Sequence, residues 1–171
     1  MLYPLPLRDT LLRVAGQNLY AVRWSNRILD EVARNLIEDR RATPEQAAHL
    51  IGAMRRAFPD AEVPEASLAA LEPTMSIGRS DRHVPAAAVA SDDTKAMVTT
   101  NVRHFPAAAC DPFGIDIVHP DVFLCTMYER APAQVQDALT RQAADLCRPP
   151  MTVDDVLDRL RPNRSRVREP R

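Results

Sequence analysis

A chain of 171 residues with 46% apolar but only 5% aromatic content can bury the core of one domain, an aliphatic core in which alanine takes a large share. A net charge of −1 excludes a uniformly basic nucleic-acid binder, and three widely spaced cysteines without a C-x-x-C exclude a disulfide framework or structural zinc site. The opening MLYPLPLRDT is too short and too soon charged for a signal peptide, and no apolar run reaches membrane-spanning length, so a soluble cytoplasmic protein with reduced thiols is expected.

In chain order, residues 4–17 carry Leu7, Leu11, Leu12, Val14 and Ala15 at helical spacing and end near Gly16. YAVRW (20–24) is short and reads as extended. Ser25 caps an amphipathic helix with Ile28, Leu29, Val32, Leu36 and Ile37 on one side. Thr43, Pro44 and Gln46 then form the start of another helix, with Gln46 placed to complete a capping box. Residues 59–80 read as loop with one short helical turn. Asp81 opens an alanine-rich helix to Ala90, and Pro85 falls in its first turn. KAMVTT (95–100) and IDIVH (115–119) are short runs of the kind found in parallel sheets. Pro120 starts a helix to Tyr128. Two further helical patterns follow, on Val135, Leu139, Ala143 and Leu146 and on Val156, Leu157 and Leu160, with Thr152 and Asp155 capping the second. Residues 161–171 hold five arginines against Glu169, a net +4 that leaves −5 for the remainder. That tail reads either as a solvated, disordered end or as a basic arm for phosphate or an acidic partner. Lys95 is the one lysine among 22 cations, which with the alanine and proline content points to a gene of high G+C content.

No P-loop, G-x-G-x-x-G, G-x-S-x-G or metal-spaced His pair is present. His49, His83, His104 and His119 are scattered and read as surface or packed residues. Glu31 borders the apolar stripe of its helix, and Asn35 falls on the same side one turn later. A plain account of Glu31 is a flanking acid paired with Arg27 or Arg34; a plain account of Asp81 is a helix cap.

Five blocks occur in order: LYPLPLRDTLL (2–12), WSNRILDEVARNL (24–36), SDRHVPAAAVA (80–90), VTTNVRHFP (98–106) and HPDVFL (119–124). Together they resemble segments of the PIN-domain superfamily, in its bacterial branch of VapC-like toxins. RPPMTVDDVLDRL (148–160) resembles a short helical extension carried by some members. The resemblance implies an α/β, three-layer fold, a parallel sheet flanked by helices, with added C-terminal helices. It divides the chain into a PIN-like domain (1–128), a helical extension (129–162) and the arginine-rich tail (163–171). It also implies a Mg²⁺- or Mn²⁺-dependent endoribonuclease with acidic residues at the carboxyl ends of the strands. Hard cations prefer carboxylate oxygens, and a bound metal acidifies water and neutralises charge developing on phosphorus. Residue by residue, Glu31 matches the second family acid and Asp81 the third, both as metal ligands. Asn101 takes the place of a fourth acid, and Thr99 and Asn35 lie near the site. Arg27, Arg34, Arg82 and Arg103 are candidates to hold RNA phosphates. The implied partners are single-stranded or looped RNA, a small VapB-like antitoxin covering the acidic cleft, and a second copy of the chain in a homodimer, with no membrane.

Several positions depart from that pattern. Family members begin with an apolar strand leading into Asp-x-x-Val-Leu-Tyr-Pro, whereas this sequence begins Met1-Leu2-Tyr3-Pro4. The first catalytic aspartate and the central strand are therefore missing, and a valine GTG codon taken as a start is the expected cause. Each buried backbone group left unpaired by such a loss costs about 1–3 kcal/mol, against a whole-domain stability of about 5–15 kcal/mol. Gly78 and His104 stand where acids are common, and Pro85 replaces an apolar residue. Three functions remain open: the metal-dependent ribonuclease toxin, a catalytically decayed module that binds an antitoxin, and a chain that folds poorly as written.

Overall fold

Ser25 begins the first long helix of the larger unit because its hydroxyl accepts a hydrogen bond from the Ile28 amide, satisfying one of the unpaired donors at the helix start. The computed structural model describes residues 5–106, 110–147 and 149–161. Two compact units emerge, one of residues 20–126 and one combining 5–19 with 127–161. The expected arginine-rich tail and Met1–Pro4 lie outside the described residues.

In the smaller unit, α1 (Leu5–Gly16) buries Leu11, Val14 and Ala15. It packs against α7 (Pro132–Asp145) and α8 (Val153–Leu160). Helix α7 buries Val135, Ala138, Leu139, Gln142 and Ala143, and α8 buries Val156. Thr152 and Asp155 cap α8 reciprocally, as their spacing anticipates. Polar bonds fix the register: Thr10 to Gln142, Arg13 to Asp145 and Gln17 to Asp137. Thus α1 builds part of the C-terminal helical unit. Helix α6 (Pro120–Arg130) runs without a break past position 128, where the sequence reading divides the chain.

In the larger unit, α2 (Asn26–Glu38) buries Leu29, Val32 and Leu36 and leaves Ile37 at the margin. Its end closes through Arg40, whose φ of +55° turns the chain so that the Arg41 amide reaches the Leu36 carbonyl. Helix α3 (Pro44–Ala57) has both bonds of the Thr43–Gln46 capping box. YAVRW, expected to be extended, forms no strand beyond a single parallel bridge, Trp24 with Glu62. The Trp24 amide donates to Ala61 and the Trp24 carbonyl accepts from Val63, while the ring packs edge-on against Phe58.

Residues 59–80 carry more structure than their prolines suggest. Helical turns at Pro59–Ala61 and Glu72–Thr74 flank α4 (Glu65–Ala69), and Leu68 and Met75 are fully buried. They meet Val63, Ala86 and Ala87 in one apolar cluster, so two buried side chains tie down a segment whose periodicity is too short to read. Helix α5 (His83–Val89) holds Pro85 in its first turn, where the missing N–H costs nothing. Asp81 is not its cap: Arg82 occupies that position and no side chain caps the helix.

Strands β1 (Ala96–Val98) and β2 (Asp116–Val118) pair in parallel, with Ala96 opposite Asp116 and Val98 opposite Val118. The connection between them drops Phe105, Cys110 and Ile115 into a cluster with Ala88 and Met97. It turns at Gly114, whose φ of +68° a side chain would strain. The chain is therefore mixed α/β and mostly helical, and its sheet, among the described residues, has two strands. The broader three-layer sheet expected from the sequence is reduced to this pair and the separate Trp24–Glu62 bridge. Val98 and Ala96 direct their remaining backbone groups to the edge of β1 away from β2, where no described strand lies. Among the described residues no helix is long and apolar enough to cross a membrane.

Candidate functional site

The apolar stripe that orients α2 also fixes its two candidate polar residues. With Val32 buried, the preceding Glu31 comes to the margin of the stripe, its side chain 37% exposed, whereas Asn35 points to solvent. Asp81 lies on the turn before α5, where its amide donates to the Gly78 carbonyl and its carbonyl accepts from Val84. That turn leaves the carboxylate 40% exposed. Asn101 follows β1 and is exposed. Thr99 is buried, and its hydroxyl accepts from the Asn101 amide at 3.1 Å, so it shapes the turn after the strand. Its own amide donates to the Val118 carbonyl and extends the β1–β2 pairing by one residue.

Two histidines connect these positions, and the sequence reading assigned neither to the site. His83 is 1% exposed on α5. Its Nδ1 lies 3.0 Å from the Ser80 carbonyl and can only donate there, which leaves Nε2 facing Glu31. The Nε2 to Oε2 distance is 3.3 Å, close enough for an ion pair, yet the angles miss those of a hydrogen bond and Nε2 has no other partner among the described residues. With Nδ1 carrying the proton, a neutral ring would turn a lone pair toward the carboxylate. His104, on the helical turn Val102–His104, stands 4.0 Å from Asp81 through Nδ1, on an open surface that weakens the attraction.

Glu31 is thus joined to the 80–83 turn and Asp81 to the 101–104 turn. Neither Asn101 nor the exposed Asn35 forms a side-chain hydrogen bond to either carboxylate among the described residues. A sequence signal for His83 did exist: it sits on the buried face of an alanine-rich helix, where a polar side chain requires a partner. His104 carried no comparable signal.

The candidate basic residues divide in the same way. Arg27 is committed, its Nη1 donating to both oxygens of Glu72 at 3.2 Å. Arg82 donates through Nε to the Ile77 carbonyl. Arg34 and Arg103 are exposed.

The two candidate carboxylates thus lie in the α/β unit, Glu31 on a helix margin and Asp81 on the turn before α5, and both are partly exposed. Among the described residues, no group of three His, Cys, Asp or Glu side chains is arranged to hold a metal ion. Residues 120–165 match the sequence model of the VapC50 C-terminal domain, which points to the VapC family of toxins. The matched stretch takes in α6, α7 and α8, and it leaves α1, Glu31 and Asp81 outside. No curated protein and no solved structure matches the chain.

Proposed function

We propose that the protein is the toxin of a toxin–antitoxin pair, an endoribonuclease of the PIN/VapC type that uses Mg²⁺ or Mn²⁺ to hydrolyse single-stranded RNA. The observation that carries this reading is the conjunction of a C-terminal stretch matching a VapC domain with two solvent-accessible carboxylates, Glu31 and Asp81, in the other unit. Both are hard oxygen donors suited to a divalent cation. Two such donors do not complete a metal centre, and the described residues offer no third. The chemistry is therefore assigned only to the chain's own groups. Water attacks phosphorus in line, the P–O3′ bond breaks, and the departing 3′-oxygen takes a proton from solvent, so that 5′-phosphate and 3′-hydroxyl ends remain. A carboxylate accepts the water proton, and His83 faces Glu31 from the helix that follows the Asp81 turn. A small VapB-like antitoxin is the proposed partner, its C-terminal segment covering the acidic surface.

The test is cleavage of a labelled single-stranded RNA at millimolar Mg²⁺ or Mn²⁺. Activity should require metal and fall at least about 100-fold in Asp81→Asn and in Glu31→Gln. Asp81→Asn as active as the parent protein would remove Asp81 from the reaction. The incomplete donor set favours one second reading, a decayed nuclease that survives as an antitoxin-binding module. Absence of metal-dependent cleavage together with tight capture of a co-encoded small protein would select that reading.

A further inference from the structure

Beside the Asp81 turn, a cavity of about 490 Å³ is lined by Ala69, Glu72, Pro73, Arg79 and Arg82. That volume falls in the range of roughly 300–1,000 Å³ that suits a small ligand. Its charge is not what a count of side chains suggests. Both oxygens of Glu72 are taken by Arg27, so the one carboxylate in the lining is already neutralised. Arg79 is exposed and has no hydrogen-bond or ion-pair partner among the described residues. Arg82 uses only Nε, on the Ile77 carbonyl, and that bond fixes the plane of the guanidinium while its terminal nitrogens stay free to donate. Ala69 and Pro73 supply an apolar wall.

We propose that this cavity is a phosphate-binding subsite for single-stranded RNA, in which Arg79 and Arg82 grip the backbone and Pro73 and Ala69 receive the sugar or base. A guanidinium presents a planar fork of donors that matches phosphate oxygens in pairs, and two of them beside a small apolar wall fit a nucleotide better than they fit a lone anion. Arg82 follows Asp81 directly in the chain, so a phosphate held here brings the strand to the candidate carboxylate. The choice of RNA rests on the ribonuclease reading above; the paired arginines and the neutralised Glu72 do not.

The experiment is binding of a fluorescein-labelled single-stranded RNA 12-mer to the full chain in EDTA, followed by anisotropy across a salt series. EDTA removes cleavage from the measurement, so the subsite and the ribonuclease reading fail separately. Each phosphate contact on a single strand contributes about 0.7 to the slope of log affinity against log salt. Arg79→Ala/Arg82→Ala should lower that slope by about 1.4 and weaken binding roughly tenfold near 0.15 M salt. Arg82 also braces its turn, so Arg79→Ala alone, at an exposed position, should lower the slope by about 0.7 with unchanged thermal stability. Arg141→Ala/Arg159→Ala, which removes the same charge from the other unit, should bind as the parent does. No binding by the parent protein, a double variant that binds normally, or an equal loss in the control pair would each overturn the proposal. A glutamate-rich 12-residue peptide that binds through Arg79 and Arg82 more tightly than the RNA would also overturn it, and would reassign the cavity to a protein partner. If the arginine dependence holds while Mg²⁺ and Mn²⁺ elicit no cleavage, the subsite stands and the ribonuclease reading falls.

Discussion

Gln142 and Thr10 are each 1% exposed and form the buried polar link of the helical unit, so replacing them one at a time should cost more than replacing both. The Thr10 hydroxyl has one proton and two acceptors in reach, Gln142 Oε1 at 2.7 Å and the Pro6 carbonyl at 2.9 Å. The Gln142 amide orientation is set by the same carbonyl, to which Nε2 donates at 3.2 Å. Thr10→Val keeps the shape and removes the donor, leaving Oε1 buried without a partner at a cost of about 1–3 kcal/mol. Gln142→Leu removes the acceptor, but the hydroxyl falls back on Pro6, and the lost bonds, at about 0.5–1.5 kcal/mol each, are offset by apolar burial. The double variant has no orphaned group and should be more stable than Thr10→Val alone, with a coupling energy of about 1 kcal/mol or more. Hydrogen exchange of the α1 and α7 amides in a urea series reads this unit directly, whereas the fluorescence of Trp24, the only tryptophan, reports on residues 20–126. A double variant as unstable as the sum of the two single variants would refute the account of Gln142 as a satisfied, shape-matched partner of Thr10.

Three further outcomes are expected. Thr43→Ala should lower stability by about 1 kcal/mol in thermal melts, because the Gln46 amide at the start of α3 loses the hydroxyl that accepts from it while the backbone half of the box remains, and Thr43→Ser should retain most of the stability. The Asp93 carboxyl is held below its ordinary value of 3.8 by the Ser91 hydroxyl and then Arg23, and Asp155 is lowered by the Thr152 amide and hydroxyl. Depressed carboxylates stabilise the fold above their unfolded pKa, and that contribution is lost as the pH falls through the lower folded value. Melting temperature should therefore drop below about pH 4, and an Asp93→Asn/Asp155→Asn protein with an unchanged acid slope would contradict this. Burial, reinforced by the Asp111 charge, raises the Cys110 thiol, so a thiol reagent should modify exposed Cys125 and Cys147 quickly and Cys110 only on unfolding.

The helices were legible wherever local chemistry decides the outcome. Ser25, Thr43 with Gln46, and Thr152 with Asp155 all cap the helices their spacing suggests, since a cap is a contact across three residues and needs nothing from the rest of the chain. Segment 59–80 was not legible, because Leu68 and Met75 order it through contacts with Ala86 and Ala87 that no window of local sequence contains. The place of α1 was hidden for the same reason: its Thr10 finds Gln142 across 132 positions. Strands were located but not counted. KAMVTT and IDIVH do pair, yet only three residues of each enter the ladder, and YAVRW stops at one bridge because Ser25 turns the chain into α2 straight after Trp24.

Glu31 and Asp81 were singled out by resemblance, and what the structure adds to them is a pair of histidines that look unremarkable in the sequence. His83 follows from elementary accounting, since a nearly fully buried imidazole with Nδ1 fixed on the Ser80 carbonyl has one nitrogen left, and that nitrogen faces Glu31. Glu31 therefore lies against a buried ring on α5, while Asp81, two residues before that ring, has its one ion-pair contact among the described residues with the exposed His104. A carboxylate beside a buried ring and one beside an exposed imidazole are unequal partners for any reaction. His83→Phe, which fills the buried volume but removes Nε2, should therefore reduce cleavage through Glu31 and leave the Arg79-dependent binding of RNA unchanged. His104→Ala should perturb both far less, because a 4.0 Å contact at an exposed surface is screened by water and salt. The two carboxylates can thus be distinguished by the histidine that accompanies each.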